Sequence, residues 1–164
     1  MSNSLQEFCH DVRVILRDRD DHEGREQVRR RLEVALRDPA FCAEHLGADQ
    51  PPGAHQLHAD AELGFCVLTY NMTAPRSAPP HDHGSSWAVY GQAVGHTDMT
   101  VWTTVDGVAR PVRSFRLEPG QAGLFDVGDI HSIQFSEGAR FVRVTGADLS
   151  GQPQRTFETE GPRS

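Results

Sequence analysis

Lysine is absent from this 164-residue chain: all 16 basic residues are arginine, against 23 acidic ones, for a net charge of −7. Without a lysine amine, lysine Schiff-base catalysis is excluded. The charge balance also argues against nucleic acid as a partner, because neutralising phosphates takes clustered positive charge. The one basic cluster, Arg29-Arg30-Arg31, sits in a helical pattern with Leu32, Val34 and Leu36 and reads as a solvated helix face. Cysteine is scarce too. Cys9, Cys42 and Cys66 are odd in number and show no C-x-x-C spacing, which fits ordinary reduced thiols in a cytoplasmic chain. No stretch approaches the ~20 apolar residues of a membrane span, and the first residues carry no apolar run suited to export. Internal repeats are missing as well.

What is present divides into two halves of different periodicity. Leu5, Phe8, Val12, Ile15 and Leu16 recur at helical spacing over residues 4–18, and Val28, Leu32, Ala35 and Leu36 repeat the pattern over 25–37. A short third helix is expected from Pro39 to Leu46, with Gly47 as its stop. Ala48 to Ala54 reads as a Pro/Gly linker. From His55 onward the text turns to short apolar runs and glycine turns. Strands are expected at Phe65–Met72, Trp87–Val94, Thr97–Val105, Val112–Leu117, Gly123–Asp126, His131–Phe135 and Arg140–Thr145. Asp106-Gly107 is a hairpin turn signal. The expected organisation is one domain: helices over residues 1–50 packed on a barrel over 51–150, then a tail over 151–164 that lacks a core pattern. The tail is expected to be partly disordered, at least up to Arg155.

The chemistry-bearing text is Pro79-Pro80-His81-Asp82-His83-Gly84-Ser85-Ser86-Trp87, answered by Val127-Gly128-Asp129-Ile130-His131. Histidines at i and i+2 of a strand share a face. A third after a glycine turn can reach the same point from a neighbouring strand. Three imidazoles on one side of a metal leave the other side open, which suits catalysis rather than structure. His81, His83 and His131 are therefore the candidate metal ligands. An unbroken strand would carry the same inward parity to Ser85 and Trp87, making Trp87 a pocket wall. Tyr90 would then face outward, unless a bulge at Gly91 reverses it and brings it to the substrate.

The H-x-H and G-x-x-H segments resemble the two motifs of the cupin superfamily, and the fold this implies is a mainly β double-stranded β-helix (jelly-roll barrel) behind an N-terminal helical segment. Many cupins add a glutamate four residues after the second histidine; here that position is Trp87, which cannot bind metal. A carboxylate-free set leaves the metal's charge uncompensated and favours anionic, chelating substrates. In this respect the chain resembles the cysteine dioxygenase and 3-mercaptopropionate dioxygenase family. The resemblance spans roughly residues 60–157 and rests on Pro80-His81-Asp82-His83, Gly95, His131 and the terminal stretch from Phe141 to Leu149. It implies Fe(2+) as cofactor and O2 as co-substrate, in an iron-dependent dioxygenase acting on a small chelating or anionic molecule. The family's relay histidine and tyrosine are matched by Arg143 and Thr145, and the cysteine that crosslinks to the tyrosine by Ala88. His55 lies near the place of the arginine that holds the substrate carboxylate, and Arg155 could stand in for the downstream arginine of the mercaptopropionate branch.

Arg143 shares its expected inward parity with Phe141 and Thr145. A buried arginine needs an anion, so it either pairs with an internal carboxylate or binds substrate. Asp82 points away from the metal by parity and either caps a turn or pairs with an arginine. His55, His58 and His96 read as rim or surface residues. Two other functions stay open: ring cleavage or rearrangement of an aromatic or heterocyclic substrate, which Trp87 would suit, and a non-oxygenase metal-binding cupin, such as an isomerase or sensor. The expected partner is a small-molecule substrate, with neither nucleic acid nor membrane, for a monomer or homodimer.

Overall fold

The computed structural model describes residues 3–160. Three helices come first, α1 (Asn3–Asp18), α2 (His22–Leu36) and α3 (Pro39–His45). Asp21 and Asp38 open the second and third by accepting bonds from the backbone N–H of Gly24 (3.0 Å) and Ala40 (2.9 Å). Those bonds satisfy donors that a first turn leaves open. The apolar stripes foreseen from periodicity are the buried ones: Leu5, Phe8, Val12 and Leu16 on α1, and Val28, Leu32, Ala35 and Leu36 on α2.

Nine strands follow: β1 (Gly53–Ala59), β2 (Cys66–Asn71), β3 (Arg76–His81), β4 (Ala88–Val94), β5 (Thr97–Val105), β6 (Val108–Leu117), β7 (Ala122–Phe125), β8 (Ile130–Phe135) and β9 (Arg140–Thr145). They form two antiparallel sheets, a five-stranded one in the order β1-β2-β9-β4-β7 and a four-stranded one in the order β3-β8-β5-β6. The hairpin foreseen at Asp106-Gly107 joins β5 to β6, with φ of +52° and +80° at its two central residues. Positive φ at both positions is the conformation whose twist matches that of the flanking strands. Such a β architecture behind an N-terminal helical segment is the cupin barrel expected from the motifs.

Two strands escape the sequence reading. Residues 53–59, taken in part for a linker, form β1. Residues 76–81 form β3 despite Pro79 and Pro80, which have no N–H to donate. Edge strands and bulges tolerate that, and β3 is an edge strand whose register with β8 shifts between Ala78 and His81. The tail, read from sequence as lacking a core pattern, is described as far as residue 160 and bonds to the barrel from Arg155 on. Past Gly151 it turns back to β3, where the Asp82 N–H donates to the Arg155 carbonyl (3.1 Å) and the Phe157 N–H to the Pro80 carbonyl (3.0 Å). It then reaches β6, whose Ala109 N–H donates to the Glu158 carbonyl (2.8 Å).

The five-stranded sheet separates two cores. Its outer face meets the helices in one cluster that includes Phe8, Val28, Leu32, Phe41, Val67, Trp87, Val89, Val142 and Val144. Burying an aliphatic or aromatic side chain of this kind contributes roughly 1.5–3 kcal/mol. α2 packs tightly on β4 at Gly91, where a Cβ would lie 2.6 Å from a Leu32 methyl. The inner face meets the second sheet in another cluster, with Ala88, Tyr90, Met99, Phe125, Ile133 and Phe141. Asp60, after β1, ties the layers together: it accepts from Arg13 of α1 through Nε (3.0 Å) and Nη2 (2.6 Å), and from the Leu63 N–H (2.8 Å).

Candidate metal centre

His81 ends β3 and stands directly opposite His131 in β8. His83 lies two residues beyond the end of β3, so the two histidines of the first motif do not share one strand. All three are nonetheless buried in the barrel interior, and one ring nitrogen from each lies within 4.8 Å of the other two. Ring centroids are 5.3 Å apart for His81 and His83, 4.6 Å for His81 and His131, and 4.8 Å for His83 and His131.

Local bonding prepares the rings as ligands. His81 Nδ1 is 2.7 Å from the Pro79 carbonyl. A carbonyl only accepts, so Nδ1 carries the proton and the Nε2 lone pair is left for a metal. His83 Nε2 lies 3.3 Å from His131 Nε2 and 3.1 Å from the Tyr90 hydroxyl. Burial, with the neighbouring His81 and Arg143 as smaller causes, pushes the His83 imidazole down to about 3. Burial likewise holds His131 well below the usual range, helped by His83 and His81. Both are neutral at physiological pH, the form that coordinates. Nδ1 of both rings is buried without a protein partner, an arrangement that calls for an explanation in the centre's chemistry. Among the described residues no carboxylate or thiol joins the cluster. The donor set fits a first-row transition metal with several open positions.

A cavity of about 470 Å³ opens beside the centre, reached by His81, Tyr90 and Arg143. One wall is a column of parallel rings: Tyr70 and Phe141 at 4.7 Å and 6°, then Phe141 and Phe135 at 4.8 Å and 10°. The Arg143 guanidinium stands 5.3 Å from the centre of the Tyr70 ring. Arg143 Nε is buried without a partner. Tyr90 and Arg143 face each other across the β4–β9 pair. Burial pushes the Tyr90 phenol up to about 12, with the Arg143 cation working against the rise, so its O–H stays on.

Trp87 is elsewhere. It belongs to the core between sheet and helices, with its indole against Gly146. The parity argument failed because residues 84–87 are not extended: Gly84 has φ of +63°, and the strand restarts only at Ala88. Counting alternation anew from Ala88 turns Tyr90 inward and Trp87 outward. Thr145 keeps the parity of Phe141 and Arg143, but its hydroxyl donates to the Ala147 carbonyl at 2.7 Å and is absent from the cavity lining. Arg155 is 74% exposed and reaches Asp82 at 3.3 Å rather than the cavity. Asp82 both caps and pairs, since its Oδ1 also accepts from the Gly84 N–H at 3.1 Å. His55 is half-buried with Nε2 2.8 Å from the Pro51 carbonyl, and His58 bonds Asp60. Tyr70, Phe135 and Arg76 line the cavity unforeseen; period-two alternation along β2 could have singled out Tyr70, whereas nothing local marks the other two.

No protein-family model matches the sequence, and no curated protein does. Solved structures do match. Peruvianin-I, described as a cysteine peptidase from Thevetia peruviana latex, is 16% identical over 76% of this chain and 85% of its own, with a TM-score of 0.50. A variant of B. subtilis oxalate decarboxylase is 16% identical over 66% of this chain and 29% of its own, also at 0.50. The Schizosaccharomyces pombe Cnp3 cupin domain is 17% identical over 59% of this chain, with a TM-score of 0.46; this chain spans 61% of that domain. At such identities the likeness concerns the fold. The chain is a cupin-fold protein with a buried three-histidine cluster suited to a metal.

Proposed function

We infer that the protein is a mononuclear iron(II) dioxygenase acting on a small anionic molecule. The observation that carries this reading is the pairing of a carboxylate-free trio of buried histidines with a phenol and an arginine that has no carboxylate partner among the described residues and a buried, unpartnered Nε, in one cavity. His81, His83 and His131 would hold the iron, which when bound supplies a redox partner for O2 and an anchor for a substrate heteroatom. Arg143 takes the substrate's anionic group and so fixes its orientation; a guanidinium fork suits a planar anion. Tyr90 keeps its proton and presents an O–H donor beside His83 Nε2, ready to donate to an oxygen atom held near the centre. The rings of Tyr70, Phe135 and Phe141 exclude water, which strengthens each polar contact inside.

Thiol and ring substrates are both compatible with the donor set, and the flat aromatic wall favours the ring. The family resemblance favours a thiol, but its relay is replaced by Arg143 and by Thr145, whose hydroxyl is committed to Ala147. The test is oxygen uptake by anaerobically iron-loaded protein across a panel of thiols, hydroxy acids and ring chelators. Uptake stoichiometric with product and lost under chelation is expected. Tight zinc binding with no oxygen consumption on any member would overturn the reading in favour of a non-oxygenase cupin.

A further inference from the structure

The charge of the cavity is one-sided. Its lining holds two arginines, Arg76 at the mouth and Arg143 within, and neither aspartate nor glutamate. Arg143 pairs with no carboxylate among the described residues, and its Nε is buried without a partner. Tyr90 faces it across the β4–β9 pair, and the uncharged side chains of Asn71, Thr73 and Gln154 also line the cavity, while the parallel rings of Tyr70, Phe141 and Phe135 make one side apolar together with Ile133 and Met72. Arg143 as a whole is half-buried, but a buried guanidinium N–H without an acceptor is costly, and an anion entering the cavity would supply one. An ammonium group entering the same space would meet two like charges and no acceptor of opposite sign.

We propose that the natural ligand is a small monocarboxylate with a flat apolar body and no ammonium group, its carboxylate on Arg143 and its body along the Tyr70–Phe141–Phe135 wall. The proposal rests on the cavity being the substrate pocket of the function inferred above, but the binding it describes needs neither iron nor oxygen. Amino acids are rejected by the missing acidic partner, since a desolvated ammonium without a counter-charge is heavily penalised. A bare inorganic anion is disfavoured because it leaves the apolar wall uncovered.

Calorimetric titration of the metal-free full-length protein with 3-phenylpropionate, 3-phenylpropanamide and L-phenylalanine tests this directly. These probes share the phenylpropanoyl skeleton and differ in the polar groups on it: an anionic carboxylate, a neutral amide, and a carboxylate with an added ammonium. The carboxylate is expected to bind about tenfold or more tightly than either other probe, the size of one charge-assisted contact. Arg143→Gln is expected to bring the carboxylate down to the affinity of the amide while leaving the amide unchanged. Equal affinity for acid and amide, tight binding of L-phenylalanine, no binding of any probe, or inorganic phosphate competing as well as 3-phenylpropionate would each overturn the proposal. The ligand series on the native chain decides even if the Arg143 variant folds poorly. Binding as expected without oxygen uptake after iron loading would instead overturn the dioxygenase and leave the ligand class standing.

Discussion

The two faces of the five-stranded sheet are built from the same strands and have opposite characters. Outward, Val67, Trp87, Val89, Val142 and Val144 pack on the helices in an apolar layer. Inward, one residue over along the same strands, stand Tyr70, Tyr90, Phe141 and Arg143. Among the described residues four buried side-chain atoms lack a partner, and three of them belong to His83, His131 and Arg143 on the inner side. The outer face is finished by the protein itself. The interior that the inner face shares with the second sheet keeps polar atoms without a protein partner, and buried polar atoms of that kind are rare enough to mark a candidate site.

The sharpest way to break this comparison is at the inner face. His131→Ala is expected to remove most bound metal and all turnover, because the proposed centre has three protein ligands, while the circular dichroism spectrum stays that of a folded barrel. Stoichiometric metal retained in this variant, measured by elemental analysis, would contradict the trio. Tyr90→Phe tests the same face more gently: it keeps the ring and removes the donor beside His83, so metal content should hold while turnover falls about 10- to 100-fold.

On the outer face the same kind of change should act on stability alone. Trp87→Ala opens a hole in the core under the helices and is expected to cost roughly 3–5 kcal/mol in denaturant unfolding. Trp87→Glu occupies the position where many cupins place a carboxylate ligand, yet here it would bury a charge against apolar helix residues. Loss of folded protein is the expected result, with metal content per folded molecule unchanged. A stable Trp87→Glu protein with altered metal preference would return Trp87 to the pocket.

How far the sequence could be read follows from the same strands. The helices and most strands were legible because their apolar periods are long and regular, as in α1 and along Phe141 to Thr145. The metal trio was legible because two short motifs carry it. Residues 76–80 of β3 were not, since two successive prolines break the strand signal. The assignment of Trp87 and Tyr90 to faces failed for a different reason. Period-two counting holds only along extended backbone, and the Gly84–Ser86 turn interrupts it. Phe135 and Arg76 could not have been singled out locally, because the cavity is made by strands distant in sequence.

The layers are also joined by a charge, and acid should weaken that joint. Burial raises the Asp60 carboxyl, but Arg13, the Leu63 N–H and His58 outweigh it and bring the group down to about 2. A carboxylate held below its unfolded value stabilises above roughly pH 4 and loses that contribution as pH falls toward 2. About 2 kcal/mol of unfolding free energy is expected to disappear across this window. Asp60→Asn should flatten that part of the pH–stability curve. An unchanged curve in the variant would show that Arg13 and Asp60 do not anchor α1.

The smallest effect should come from Arg155, the arginine that family analogy placed on the substrate. It lies largely in solvent, with its cation over the Phe157 ring at 5.1 Å and its guanidinium 3.3 Å from Asp82. Exposed pairs of this kind contribute roughly 0–1 kcal/mol, and salt screens them further. The tail's hold on β3 comes instead from backbone bonds of Asp82 and Phe157, which an alanine at 155 leaves intact. Arg155→Ala is therefore expected to shift stability by less than about 1 kcal/mol and to leave KM for an anionic substrate unchanged, whereas Arg143→Gln raises it. Steady-state kinetics on the two variants side by side decides between them. A rise in KM confined to Arg155→Ala would mean that the tail swings over the cavity and that the anion is held at the barrel mouth rather than at its inner face.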